Sequence, residues 1–144
     1  MQFKVRKAKN SDFSAVLALA GTEFQKPPFN ENWKPKILRD KFRAHFKHCT
    51  ILVAEQAKSI CGFIIFHTEY LFSEKIAVTN EFVVCEKFQG QGIGSNLLKA
   101  TEKLAKKNKT KIFTLLALPG SEAYKFYTKR KYKKSGWELL AKKI

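Results

Sequence analysis

Apolar and polar positions recur along this chain at two different periods, and the places where the period changes divide it into elements. Phe3 and Val5 alternate with charged residues, with Ala8 beyond, which predicts a short strand over residues 2–8. Phe13, Val16, Leu17, Ala20 and Phe24 then recur every three or four positions and share one face of a helix. Asn10 or Ser11 offers the short side-chain oxygen that caps such a helix, and Gly21 with the pair Pro27-Pro28 marks its end. A second helix begins near Lys34-Pro35, where proline's missing N–H costs little, and its stripe is Leu38, Phe42 and Phe46.

Residues 50–55, 60–70 and 76–85 are rich in β-branched and aromatic side chains and predict three strands. The turns between them, 56–59 and 73–75, are short, so the three should be antiparallel neighbours. A glycine-rich turn leads into a helix carrying Leu97, Leu98, Thr101, Leu104 and Ala105, which ends at Asn108-Lys109. Residues 111–118 predict a buried strand, Ser121 caps a short helix over 122–130, and the segment from Tyr132 onward predicts a last strand or hairpin. The strand, helix and strand around the glycine turn form a crossover unit, so those two strands should run parallel. No linker, repeat or low-complexity tract interrupts the 144 residues, and the expectation is one mixed α/β domain over residues 1–144.

Composition narrows the setting. Three cysteines, Cys49, Cys61 and Cys85, are odd in number, irregularly spaced and adjacent to apolar runs, so reduced, buried thiols are expected. That points to a reducing compartment and a cytoplasmic protein. The first residues lack the pattern of a signal peptide, and no apolar run approaches the ~20 residues that span a bilayer, so no membrane partner is expected. The 28 Lys and Arg against 12 acids give a formal charge of +16. Such a field attracts nucleotides, phosphorylated cofactors and nucleic acid, and repels polycations.

The chemistry concentrates in Gln89-Gly90-Gln91-Gly92-Ile93-Gly94-Ser95, where a strand enters a glycine turn and the turn opens a helix. At a helix start the first N–H groups have no partner and the dipole favours negative charge, while glycine lets the backbone approach a ligand closely. A phosphate or pyrophosphate suits such a place. The dinucleotide pattern G-x-G-x-x-G fails because Ser95 stands where its third glycine belongs, and the P-loop's Lys-Ser/Thr pair is missing.

Gln89-x-x-Gly92-x-Gly94 resembles the pyrophosphate motif [Q/R]-x-x-G-x-[G/A] of the GCN5-related N-acetyltransferase (GNAT) superfamily. Asn80-Glu81-Phe82-Val83-Val84, Phe126-Tyr127-Thr128-Lys129-Arg130 and Gly136-Trp137-Glu138-Leu139-Leu140 are similar to the diamine acetyltransferase branch, and the order of elements matches over nearly the whole chain. The resemblance implies a central mixed sheet of about six to seven strands with about four helices. It implies acetyl-CoA as co-substrate, acetyl passing directly to a primary amine, and often a homodimer. The backbone of Val83, Val84 and Cys85 would pair with the pantetheine arm, where the strand splays from residues 111–118. The N–H groups of Gln89, Gly90, Gln91, Gly92, Ile93, Gly94 and Ser95 would hold the pyrophosphate. Tyr127 would protonate the departing thiolate, and Trp33 and Phe29 fall where the acceptor pocket is often built. Glu81, a carboxylate in an otherwise apolar strand, is the candidate base.

The chain departs from the family pattern at Pro119-Gly120-Ser121, at Lys131-Tyr132 and at Glu86. His45, His48 and Cys49 lack a second spaced pair of ligands, so no metal is expected. Cys85 as an acyl carrier ranks below direct transfer. The lysines of 103–111 and 129–134 read first as a solvated face, second as a dock for the cofactor's 3′-phosphate, and third as a nucleic-acid patch, since few aromatics interleave with them. The acceptor is expected to be a small molecule or peptide amine. The rival readings are a basic module bound to nucleic acid or the ribosome, and a silent acyl-CoA binder.

Overall fold

A computed structural model describes residues 2–71 and 73–144. Its sheet runs β1 (Lys4–Lys7), β2 (Thr50–Gln56), β3 (Ser59–Leu71), β4 (Glu74–Val84) and β5 (Ile112–Thr114), side by side in chain order. The first three pairings are antiparallel and β4–β5 is parallel. The tight turns at Ala57-Lys58 and Ser73, all at positive φ, enforce the antiparallel pairings, and a helical crossover enforces the parallel one.

Alternation along β2 divides the core. Ile51 and Val53 pack with Val16, Ala20 and Phe24 of α1 (Phe13–Phe24) and with Leu38 and Phe42 of α2 (Pro35–His48). Leu52 and Ala54 pack on the other face with Ile93, Leu97 and Leu98 of α3 (Ile93–Lys107) and Tyr127 of α4 (Glu122–Thr128). The expected mixed α/β layering and four helices are present. The stripe of α2 holds at Leu38, Phe42 and the half-buried Phe46, with Pro35 in the first turn.

Several boundaries differ for physical reasons. Neither Asn10 nor Ser11 caps α1. A 3₁₀ turn, Asn10–Asp12, precedes it, and the Asp12 carboxylate accepts the Lys9 N–H while pairing with Arg6. Helix α1 runs through Gly21, where a Cβ would meet Leu38 Cδ2 at an ordinary 3.7 Å, and stops before the two prolines. Only Cys61 is fully buried; Cys49 and Cys85 are half-buried.

The larger difference lies at the C-terminal end. The sheet has five strands among the described residues rather than six to seven, because the segment after Tyr132 forms no ladder, and the expected strand over 111–118 shortens to Ile112–Thr114. Strand propensity without a cross-strand partner does not make a strand. Leu116, Leu118, Leu139 and Leu140 are consequently exposed.

Candidate functional site

The parting of β4 from β5 begins with one extra residue. Ile65 faces Glu81 and Phe66 faces Thr79, which leaves Asn80 as a bulge in β4. A bulge bends its strand and raises the local twist. The β4–β5 ladder ends at Val78 and Thr114, just before it. From Thr79 to Val84 the edge of β4 therefore has no β5 partner, and this opening is the expected splay. At its closed end the Thr79 hydroxyl is buried with no hydrogen-bond partner among the described residues.

Backbone groups along this edge are not all available. The sequence reading expected the backbone of Val83, Val84 and Cys85 to pair with the pantetheine arm; Cys85 donates its N–H to Cys61 O at 2.9 Å, so that group is already taken. By alternation Val84 directs its amide groups to the open side. Its carbonyl there accepts the Gln89 side-chain amide at 3.0 Å. Val83 is buried in the α1/α2 core.

Beyond Cys85 a 3₁₀ turn, Glu86–Phe88, leads into the glycine loop. The Gln89 N–H is committed to Glu86 O at 3.2 Å, so Gln89 braces the loop through both backbone and side chain and leaves the N–H donation to later residues. Gly90 and Gly92 take φ of 76° and 86°, in the left-handed region that glycine enters without strain. Gly92 is the N-cap of α3, and its carbonyl receives the first helical N–H, from Asn96. The N–H groups of Ile93, Gly94 and Ser95 therefore have no intrahelical partner. Gln91 lies exposed between the two glycines. Three convergent amides, the dipole of a 15-residue helix and an uncrowded backbone at Gly90 fit a phosphate.

Arg130 stands at the same place, and no spacing in the sequence marks it. Its guanidinium lies 3.6 Å from the Phe126 ring centroid, donates to Phe126 O at 2.8 Å and reaches the Ser95 hydroxyl. It thus adds a fixed positive charge beside the first turn of α3. Glu23 was missed as well, although the signal was readable: it falls on the apolar stripe of α1, next to Phe24. Its buried carboxylate accepts the Glu86 N–H at 3.3 Å and pairs with Lys26 at 3.2 Å, and Lys26 also reaches Glu86 at 2.9 Å. These contacts tie α1 to the start of the loop.

Tyr127 is buried under Phe82, Phe126 and Tyr132, with ring centroids 5.4–6.3 Å away. The Ser121 hydroxyl accepts the Tyr124 N–H and caps α4 as expected, which sets the turn on which Tyr127 sits. Burial pushes its phenol up to about 12. Phe82 belongs to the open strand, so Tyr127 borders the splay from the α3/α4 side.

Glu81 lies on the other face. Its carboxylate meets Lys41 Nζ at 2.5 Å and His45 Nε2 at 3.4 Å, and it is nearly buried. Lys41 in turn sits 4.6 Å from the Trp33 ring centroid, and His45 Nδ1 lies 3.7 Å from Cys49 Sγ. The sequence reading saw an isolated carboxylate; the structure shows a paired one. Because of the bulge, Glu81 shares a face with Val83 and Ile65 while Tyr127 packs on Phe82, so the open edge of β4 lies between the two candidates. His45 continues the buried stripe of Leu38 and Phe42 by three residues, and that was its readable signal.

A mixed sheet split beside a glycine-started helix is the architecture of acyl-CoA N-acyltransferases. Residues 47–134 match the acetyltransferase (GNAT) domain family, and the chain belongs to it. Among solved structures it resembles a transcriptional regulator from Bacillus halodurans C-125, with 19% identity over 99% of this chain and 100% of that one and a TM-score of 0.81. It also resembles the ribosomal-protein-alanine N-acetyltransferase from Brucella melitensis biovar Abortus 2308, with 14% identity over the full length of both and a TM-score of 0.80. A third is AAC(6')-Iy in complex with the bisubstrate analog CoA-S-monomethyl-acetylneamine, with 11% identity over 100% of this chain and 99% of that one and a TM-score of 0.80. At these identities the likeness is one of fold.

Proposed function

We propose that this chain, as one cytoplasmic domain over residues 1–144, moves acetyl from acetyl-CoA directly to a primary amine. One observation carries the reading: the β4–β5 ladder stops at the Asn80 bulge, and the opened edge runs straight into the partnerless N–H groups at the start of α3. The solved AAC(6')-Iy structure with a CoA-linked analog supports a CoA ligand for this fold. Ile93, Gly94 and Ser95 would hold the pyrophosphate, with Gly90, Gln91 and Gly92 shaping the loop and Arg130 adding charge. Val84 would offer its backbone to the pantetheine arm.

Acetyl-CoA supplies the acetyl group as a thioester. The amine nitrogen forms its bond to the acetyl carbon, the carbon–sulfur bond breaks, and the amine's surplus proton must leave. Tyr127 acts on the sulfur. A free thiol titrates near ~8.5, so giving a proton from a phenol at about 12 is uphill by about 5 kcal/mol. Tyr127 therefore serves as a hydrogen-bond donor that steadies negative charge on sulfur. Glu81 is the proton acceptor on the amine side, directly or through water, with His45 next to it. Trp33 and Lys41 line that approach. The formal charge of +16 disfavours polyamines and favours a neutral or acidic acceptor, such as an amino acid or a peptide N-terminus.

A second reading, a silent acyl-CoA binder, is favoured by one observation: Glu81 and Tyr127 occupy opposite faces of the sheet. Release of CoA thiol across an amine panel separates the two. Turnover with a neutral or acidic amine that disappears in Tyr127→Phe supports transfer. Tight acetyl-CoA binding with no thiol release from any amine supports the silent binder.

A further inference from the structure

At the end of the sheet away from the glycine loop, the C-terminal end of α3 overhangs the β3–β4 hairpin. Thr68 and Lys75 from the sheet and Lys107 and Lys109 from the helix end line an open cleft of about 350 Å³, floored by Phe66. Lys75 is fixed there: its Nζ donates to Asn108 O at 2.9 Å and its carbonyl accepts the Lys111 N–H at 2.9 Å. An ammonium has three donors, so Lys75 keeps donors for a ligand after its bond to Asn108.

Tyr70 stands directly across the ladder from Lys75, so both side chains rise from the same face. It is 79% exposed, and its ring has little protein to pack against. The acids of the hairpin, Glu69 and Glu74, alternate onto the opposite face, and Glu69 is taken by His67 there. Around the cleft the charge is one-sided. Residues 103–111, at the end of α3 and just beyond it, hold five Lys and no acid. The acid just before them, Glu102, accepts the Tyr132 hydroxyl.

We propose that this cleft binds single-stranded nucleic acid, with Lys75, Lys107 and Lys109 on backbone phosphates and a base stacked on Tyr70. Lysines alone would suit any polyanion. The exposed ring across the ladder from Lys75 is what selects an unpaired base, because a duplex keeps its bases stacked and an acidic peptide has none. Tyr70 belongs to the hairpin rather than to the lysine-rich helix, which is why a stacking platform was not legible from the helix sequence.

The test is fluorescence anisotropy of a labelled oligothymidylate and a duplex of equal length across a salt series, using the full chain. The oligothymidylate should bind with an affinity that falls linearly with log salt. Tyr70→Ala should weaken it roughly 5- to 100-fold while leaving duplex binding unchanged. Changing Lys75, Lys107 and Lys109 together to Gln should reduce the salt slope by about 2. Gln at Lys4, Lys7 and Lys58, none of which lines the cleft, should not reduce it as much. Thermal unfolding and acetyl-CoA binding of each variant verify folding. Equal losses for Tyr70→Ala on both probes, equal slopes for the two lysine sets, or displacement of the oligothymidylate by polyglutamate or anionic vesicles as readily as by unlabelled strand would overturn the proposal.

Discussion

The proposed transfer asks opposite things of Tyr127 and Glu81, and their surroundings suit each task. Burial keeps the Tyr127 phenol protonated, so it has a hydrogen to donate. Tyr127→Phe removes that donor at almost constant shape. Turnover should fall about 100-fold, within the range for losing one hydrogen bond to developing negative charge, while the acetyl-CoA Kd stays within about twofold. Unchanged turnover would remove Tyr127 from the chemistry. The same burial has a consequence for stability. The folded phenol titrates at about 12 against ~10 unfolded, so its contribution is complete below pH ~10 and is lost as pH rises through the folded value. The size is about 3 kcal/mol, and Tyr127→Phe should flatten the alkaline limb of a Tm–pH curve. Glu81→Gln leaves Lys41 without its carboxylate, and about 1–3 kcal/mol of stability should go with it, besides the loss in rate.

The elements that position the site can be tested apart from the chemistry. Gly92 caps α3 at φ 86°, and a β-branched residue there must adopt a left-handed backbone at about 1–2 kcal/mol or distort the loop. Gly92→Val should therefore raise the acetyl-CoA Kd more than tenfold while lowering the unfolding midpoint by only about 2–8 °C. Glu23→Gln keeps an acceptor for the Glu86 N–H but loses the charge facing Lys26, so it should weaken cofactor binding less than Glu23→Ala does. Equal losses would mean that the charge facing Lys26, and not acceptance of the Glu86 N–H, braces the loop.

At this scale the glycine turn, all four helices and the first four strands were readable, because each is coded by local periodicity and turn residues. The three-residue ladder of β5 was not, since it depends on a bulge at Asn80 in another strand. The partners of Glu81 were hidden for the same kind of reason: Lys41 and His45 come from a helix some 40 positions earlier, and only the fold brings them to the strand. Arg130 looked like one more member of a basic run until Phe126 and Ser95 fixed it.

For the molecule as a whole, the proposed transfer should favour acceptors by charge. With +16 spread over 144 residues, association with an anionic acceptor should slow as salt rises, and that with a cationic amine should quicken, because screening acts on exposed charges beyond ~10 Å at ~0.1 M salt. A kcat/KM series in salt for an acidic and a basic acceptor reads this directly, and the same slope for both would contradict it. The central claim concerns the opened edge of β4 and the loop after it. It is tested most directly by calorimetric titration of the protein and its Gly92→Val variant with acetyl-CoA at physiological salt. Micromolar binding by the protein, lost by more than tenfold in the variant, is the predicted result. An absence of heat with the unaltered protein, or the same Kd for both, would contradict the account.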